Sequence, residues 1–535
     1  MKGKRHLREN GLKKYWTKKN RKILGSQTVI TIAQTACIMA ILTMVSKLLG
    51  FIREMIMAGC FGTNYVVDAY VMAQSIPSML FGGVFVAVAT AYMPLLAKRI
   101  EGEGQNEGNK FTSTVINILF FASIISALIG IFFSDELTGI MARGFTGETA
   151  RLTSYFLKIT LSYVIFTSTA GVLEAYLQYK NVFIPQIVIG YTQNIVVICT
   201  IIFSAQFGYK YLPFGLLIAY LVRILLMWHK ANANNFRYSF EYKKTKEVTK
   251  QIVVLSLPVF IGSSVSQINL FFDKYLASGL SEGSVAALNY ANLLNNMVMT
   301  LSITILTTII YPRLAQAKAI EDKERFNMLV QKGVNLIVMI AVPCSLGAML
   351  YNEQIVQIIF ERGAFDIAAT ELTGSAYFYY SLGLVFLSTN EFFTRVYYSM
   401  HDMKTPMIFA GFGVIINIVL NILLVGKMGH NGLALATSVA AFGNMMLLWL
   451  GLKIKYKDKV FIKNKKKLLL MILGALLSIL ISYGIYISLI AMIWMPRLIY
   501  LCIAVIVAII LYAFLLHCFK IEEIEQIKAI IKRQK

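Results

Sequence analysis

A chain of 535 residues that is 57% hydrophobic and only 15% charged departs from soluble domains, which run nearer about 45–50% apolar and 25% charged. Its formal net charge of +24 calls for no nucleic-acid partner, because the basic residues fall between apolar runs rather than in one patch. Six cysteines (Cys37, Cys60, Cys199, Cys344, Cys502 and Cys518) lie scattered, with no CxxC pair, and imply neither a disulfide framework nor a metal site.

Residues 1–28 are polar and basic. They are too long for the n-region of a signal peptide and no A-x-A-like site follows the first apolar run, so they read as a retained cytoplasmic tail. Fourteen spans are then predicted, near 29–56, 66–97, 111–133, 152–177, 183–206, 211–229, 251–277, 285–312, 331–351, 372–399, 406–426, 431–452, 467–489 and 494–516. Runs of this length cross about 30 Å of hydrocarbon as helices. Backbone groups in lipid must be satisfied within the segment, so an all-α polytopic membrane protein is expected, not a barrel. The expected organisation is a tail (1–28), an N-terminal six-helix lobe (29–229), a cytoplasmic linker (230–250), a C-terminal six-helix lobe (251–452), two extra transmembrane helices (453–516) and a second tail (517–535).

Of 51 Lys and Arg residues, 39 flank the even-numbered loops and the two tails, six lie in the odd-numbered loops and six within spans. That asymmetry puts both termini in the cytoplasm, and some of the basic excess can hold anionic lipid head groups. The chain also repeats itself. "EAYLQYKNVFIPQI" (174–187) aligns with "RVYYSMHDMKTPMI" (395–408), placing Tyr176 on Tyr397 and Pro185 on Pro406. "MAGCFGTNYVVDAYVMA" resembles "LASGLSEGSVAALNYAN", and "AYMPLLA" resembles "IIYPRLA", all at an offset of about 220 residues or six spans. An even number of spans makes the repeats parallel. Two such bundles facing each other are a transporter plan, with the substrate site between them near the midplane.

Ionisable groups in mid-membrane usually mark a pathway or a partner. Arg223, Glu174 and Arg395 lie near cytoplasmic span ends, where snorkelling accounts for them. Deeper or nearer the outer face are Lys47, Arg53, Glu54, Asp68, Lys158, Asp273, Lys274 and Glu391. Lys47, Gly50 and Glu54 share one helix face. One arrangement has Lys47 and Arg53 lining a cavity while Glu54 and Asp68 hold them, which suits a phosphate-bearing substrate. In the other, Arg53, Glu54 and Asp68 simply pin two helices together. "GEGQNEG" (102–108) has no preceding strand and no Lys-Ser/Thr, so it reads as a flexible loop rather than a nucleotide cradle. With no HExxH, GxSxG or ATPase signature, an enzyme is not expected, and Na+ or H+ is the expected driving ion.

"SKLLGFIRE…FGTNYVVDAY…IPSML", with "LASGLSEGSVAALNYAN" and "YYSMHDMKTP", resembles the signature of the MurJ/MviN family of lipid II flippases, within the multidrug/oligosaccharidyl-lipid/polysaccharide exporter superfamily. The resemblance implies a monomer in the bacterial inner membrane. It would move undecaprenyl-diphosphate-linked peptidoglycan precursor to the outer leaflet by alternating access, with a groove for the lipid tail on the two extra helices. It places Lys47 where the family often has an Arg, Arg53 on an essential Arg, Glu54 on an acidic position and Asp68 on the Asp opening the second helix. Some members bind sodium, and Asp273, Asn417, Asn421 and Thr437 fall on those ligand positions. A carboxylate, amide oxygens and a hydroxyl also suit a hard cation on chemistry alone, although interhelical hydrogen bonding would equally explain the Asn pair. Two family arginines are replaced, by the Phe81–Gly82 stretch and by Leu293. Lys274 or Lys158 is the candidate substitute, and another undecaprenyl-linked oligosaccharide, or a drug, is the alternative cargo.

Overall fold

The computed structural model describes residue 39 and residues 41–240, 245–455, 465–492 and 496–523. The 1–28 tail, the expected start of the first span at 29–38, Cys37 and the tail beyond 523 lie outside the described residues. Among the described residues there is no strand. The helices are α1 (41–61), α2 (Tyr65–Glu103), α3 (Gln105–Phe132), α4 (Ser134–Met141), α5 (Gly147–Tyr179), α6 (Ile184–Phe207), α7 (Leu212–Ala233), α8 (Thr245–Ala277), α9 (Ser284–Ala319), α10 (Lys323–Leu350), α11 (Asn352–Phe360), α12 (Ile367–Ser399), α13 (Lys404–Met428), α14 (His430–Lys455), α15 (Lys465–Met492) and α16 (Arg497–Cys518). Among the described residues, eleven helices are long and apolar enough to cross a membrane. The other long ones are α1, α9 and α12.

The repeat is visible in helix lengths. α2 and α9 have 39 and 36 residues, α3 and α10 both 28, and α5 and α12 both 33. A short helix, α4 or α11, precedes α5 and α12 respectively. Packing repeats as well: α5 lies against α2, α3 and α7, as α12 lies against α9, α10 and α14. Tyr176 and Tyr397 are both fully buried and donate to main-chain carbonyls, of Asn234 at 3.1 Å and Leu448 at 3.0 Å. The fold is therefore two parallel six-helix lobes plus the α15–α16 pair, which packs on α10.

Helix starts follow capping chemistry. Asn64, Asp322 and Asp366 accept main-chain N–H bonds at the starts of α2, α10 and α12, satisfying donors that have no partner inside the helix. Pro77 sits inside α2 and leaves the Ala73 carbonyl without its helical donor. The Thr160 hydroxyl of α5 donates to that carbonyl at 2.8 Å, which is how a proline is tolerated where no water reaches.

Several expectations are corrected. The 102–108 segment is not a flexible loop: Gly104 alone, at φ +88°, separates α2 from α3, and Gln105 already bonds Asn109 and Tyr176. A residue without a Cβ adopts this backbone freely, so one glycine makes the corner. α2 runs on to Glu103 and α9 to Ala319, past the expected ends at 97 and 312. Their Lys, Arg, Glu and Ala residues are good helix formers that hydropathy does not register. The segments near 134–151 and 352–371, expected as external loops, contain α4 and α11.

Candidate substrate cavity and cation site

A cavity of about 270 Å³ lies between the lobes, lined by Arg53 and Glu54 of α1, Gln74 and Ser75 of α2, and Gln267 and Lys274 of α8. Arg53 donates to Glu54 Oε1 from Nε (3.1 Å) and Nη2 (2.6 Å), and from Nη1 to Asn194 Oδ1 of α6 (3.1 Å). Asn194 in turn donates to the Ser46 carbonyl at 3.2 Å. The guanidinium fork is thus fixed on two sides. A planar five-donor group is the side chain that can do this and still present N–H groups to a ligand. Lys274 Nζ donates to Ser75 Oγ across the lobe boundary at 2.8 Å, while Ser75 donates to Val71 O at 2.6 Å. Two cations and one carboxylate therefore share the cavity.

Asp68 sits elsewhere. Its carboxylate is 2% exposed and accepts from the Gly283 and Ala286 N–H groups, each at 2.7 Å. Glu282 reciprocates, accepting from the Tyr65 N–H at 2.9 Å. Each lobe thus caps the first turn of the other's long helix, where free N–H groups and the helix dipole favour a carboxylate. Gly283 has φ +85°, and a Cβ there would collide with the Thr63 carbonyl. The lobes are closed at this face by main-chain contact.

Asp273, next to Lys274, turns into its own lobe. Its Oδ1 accepts from Asn421 Nδ2 at 2.6 Å, the Asn417 side-chain amide lies 2.9 Å from Asn421 Nδ2, and Thr437 Oγ1 lies 3.3 Å from that Asn417 amide. All four residues singled out as cation ligands therefore meet between α8, α13 and α14. Asn421 Oδ1 is buried without a hydrogen-bond partner. One carboxylate with neutral oxygens around it fits a hard monovalent cation. Among the described residues no group of three or more His, Cys, Asp or Glu side chains is placed to hold a metal ion.

Lys47 is exposed on α1 and does not line the cavity, and Lys158 lies 3.8 Å from Asp135, also away from it. Asn194 and Ser75 were not anticipated. The sequence signal for Asn194 was an amide, next to Gln193, inside the apolar run of α6, where hydrogen bonding to a neighbouring helix is the rule.

The family model described as "Lipid II flippase MurJ" matches residues 57–514. The chain belongs to the MurJ family. Among curated relatives, the probable lipid II flippase MurJ of Rhizobium meliloti is 28% identical over 419 residues, covering 76% of this chain and 78% of its own. That of Vibrio cholerae is 27% identical over 439 residues, covering 79% and 83%. A solved structure titled "Lipid II flippase MurJ, inward closed conformation" aligns with TM-score 0.77 and 25% identity over 90% of this chain and 99% of its own. An inward-facing multidrug resistance MATE transporter shares the fold, with TM-score 0.62 at 14% identity over 76% of this chain and 92% of its own.

Against the MurJ signature, the two altered positions are apolar in three dimensions too. Phe81 stacks on Phe85 with ring centroids 6.4 Å apart, and Leu293 packs on the main core cluster. At Gly82 of that stretch the facing group is the Gln267 side chain of α8, 3.5 Å from where a Cβ would stand. The cavity cation of this MurJ-family member on α8 is Lys274. A further cavity of about 470 Å³, lined by Met339, Pro343, Tyr351, Ile479, Leu501 and Tyr512 among others, runs between α10, α15 and α16.

Proposed function

We propose that the chain is a lipid II flippase of the bacterial inner membrane that moves undecaprenyl-diphosphate-linked peptidoglycan precursor from the inner to the outer leaflet. The observation that carries this reading is the meeting of Arg53 and Lys274, from opposite lobes, in one cavity of a MurJ-family fold. Diphosphate oxygens are the group that a fixed guanidinium and a facing ammonium recognise together. The closed face at Asp68–Gly283 and Glu282–Tyr65 is the outer gate, and alternating access requires these caps to part. Fourteen spans, both termini in the cytoplasm, the lobe boundaries 29–229 and 251–452, a monomeric carrier and no enzymatic step complete the reading, supported by the basic-residue asymmetry. Surrounding membrane lipids and the polyprenyl tail are the apolar partners, and the tail fits the cavity between α10, α15 and α16.

The group at Asp273, Asn417, Asn421 and Thr437 would hold Na+, with H+ as the other candidate coupling ion; a bound cation there supplies a charge that fixes α8 against α13 and α14. Asp273 and Asn421 orient that site, and Lys274, the next residue on α8, carries its position into the cargo cavity.

A second reading, transport of another undecaprenyl-linked oligosaccharide, is favoured by one observation: the apolar residues Phe81 and Leu293 where the MurJ signature has arginines. The deciding experiment depletes the host's lipid II flippase and supplies this chain as the only replacement. Restored growth supports lipid II; failure to rescue at good expression moves the assignment to the other oligosaccharide.

A further inference from the structure

A cavity of about 750 Å³, separate from the one at Arg53, lies within the N-terminal lobe, walled by α2, α5 and α7. Its walls include Phe85, Thr90, Met93 and Tyr179, and the polar pair Glu174 and Arg223. Glu174 Oε1 takes both Arg223 bonds, from Nε and Nη2, each at 2.7 Å. Arg223 Nη1 and Glu174 Oε2 have no hydrogen bond among the described residues. The side chains are 20% and 18% exposed, and the guanidinium lies 5.7 Å from the Tyr220 ring centroid. The pair therefore offers a fixed donor beside a fixed acceptor, with no net charge, on an otherwise largely apolar wall.

Helix packing does not account for it. An isolated ion pair gains little over an apolar contact once both charges are desolvated. Nor does the repeat demand it: position 174 aligns with Arg395, which bonds Glu391 on its own helix at 3.0 and 2.6 Å instead of bridging to a neighbour. The interhelical pair belongs to the N-terminal lobe. A donor and an acceptor side by side, with charge balanced, match hydroxyl and acetamido groups, whereas a diphosphate is better served by the two cations at Arg53 and Lys274. The volume falls within the roughly 300–1,000 Å³ typical of small-molecule sites. Ser75 and Thr90 of α2, one at each cavity, are about 22 Å apart at the helical rise, farther than a sugar bonded to the diphosphate reaches, so the two sites are occupied in turn.

We infer that Glu174 and Arg223 form a glycan subsite that binds the sugar of the lipid-linked cargo at a stage of transport other than the one in which Arg53 and Lys274 bind its diphosphate. The inference rests on the reading of the chain as a carrier of lipid-linked sugars. Its test is binding of three probes to purified full-length protein in nanodiscs: undecaprenyl diphosphate, the same lipid with one N-acetylated sugar, and the disaccharide-pentapeptide form. Arg223→Gln and Glu174→Gln are expected to weaken both sugar-bearing probes about tenfold, the scale of one charge-assisted hydrogen bond, and to leave the bare diphosphate unchanged. Arg223→Lys, which keeps the ion pair but loses the fork, carries the same expectation if Arg223→Gln fails to fold. Equal weakening of all three probes, or unchanged binding of the sugar-bearing ones, overturns the subsite. Wild-type protein that binds none of the three overturns the carrier reading along with it.

Discussion

Asp68 and Gly283, 215 positions apart in the chain, are joined by a 2.7 Å hydrogen bond from the Gly283 N–H to the buried Asp68 carboxylate. With the second bond from Ala286, it ties the first turn of α9 to the first turn of α2. Removing a buried carboxylate that accepts two main-chain bonds costs about 2–4 kcal/mol. Asp68→Ala should therefore populate the outward-open state. A cysteine placed at Gln74, which lines the cavity, should become several-fold more reactive to an impermeant maleimide applied from outside. Unchanged labelling would show that Asp68 does not hold the gate.

Arg53 is the cavity group with the most constrained geometry. Arg53→Ala leaves Glu54 unpaired and is expected to abolish transport while the protein still inserts. Arg53→Lys keeps the charge but cannot bridge Glu54 and Asn194 at once, and transport should fall by about tenfold or more. Normal transport by either variant at matched expression removes Arg53 from the cargo site.

Lys274 is expected to supply charge that the MurJ signature places elsewhere. Lys274→Ala should lower cargo affinity and Lys274→Arg should preserve it. Adding Leu293→Arg to Lys274→Ala should restore part of the loss. A double variant no better than Lys274→Ala in cargo binding contradicts the relocation of charge.

These relationships were unevenly legible in the sequence. Arg53, Asp273 and Lys274 stood out because a charge is conspicuous in an apolar run, whereas Asn417, Asn421 and Thr437 were reached through the family resemblance, with spacing at i, i+4 putting the two asparagines on one face. Lys47 stood out for the same reason, yet it is exposed and outside the cavity. Composition shows that an ionisable group is present but not which way its helix is turned. The partner of Asp68 was not legible, since it is a main-chain N–H on another lobe and leaves no residue-type signal. Asn194 and Ser75 were hidden because one amide or hydroxyl in a span is ordinary. Span positions followed hydropathy, but helix ends did not, because α2 and α9 continue into polar residues that favour helix equally well.

Sodium should stabilise the protein if Asp273, Asn417, Asn421 and Thr437 bind it. An ion at a hundred times its Kd stabilises by about 2.7 kcal/mol. The thermal midpoint of purified protein should rise in NaCl relative to choline chloride, and Asp273→Asn should erase the difference. A wild-type midpoint that is the same in both salts contradicts a sodium site.

Glu523, just past α16, gives a pH-dependent contact. Burial pushes its carboxyl up, but hydrogen bonds from Lys467 and Asn335 outweigh this and hold it below its ordinary value of 4.5. A lowered folded pKa means that the contact is fully stabilising above the unfolded value, and that stability is lost as pH falls through the folded one. Cleavage of the C-terminal segment by an acid-tolerant protease should therefore accelerate only below about pH 4.5. Glu523→Gln should be more readily cleaved at neutral pH and lose that dependence. A wild-type cleavage profile shared by Glu523→Gln across this range contradicts the assignment.

The central claim is that cargo crosses the membrane through the cavity at Arg53 and Lys274. Purified protein in sealed liposomes, loaded with lipid II carrying a fluorescent label that an impermeant external reagent quenches, measures this directly. The account predicts transfer of inner-leaflet lipid II to the outer leaflet well above protein-free vesicles, and none with Arg53→Ala. Transfer at the protein-free rate by the wild type, or equal transfer by Arg53→Ala, would contradict it.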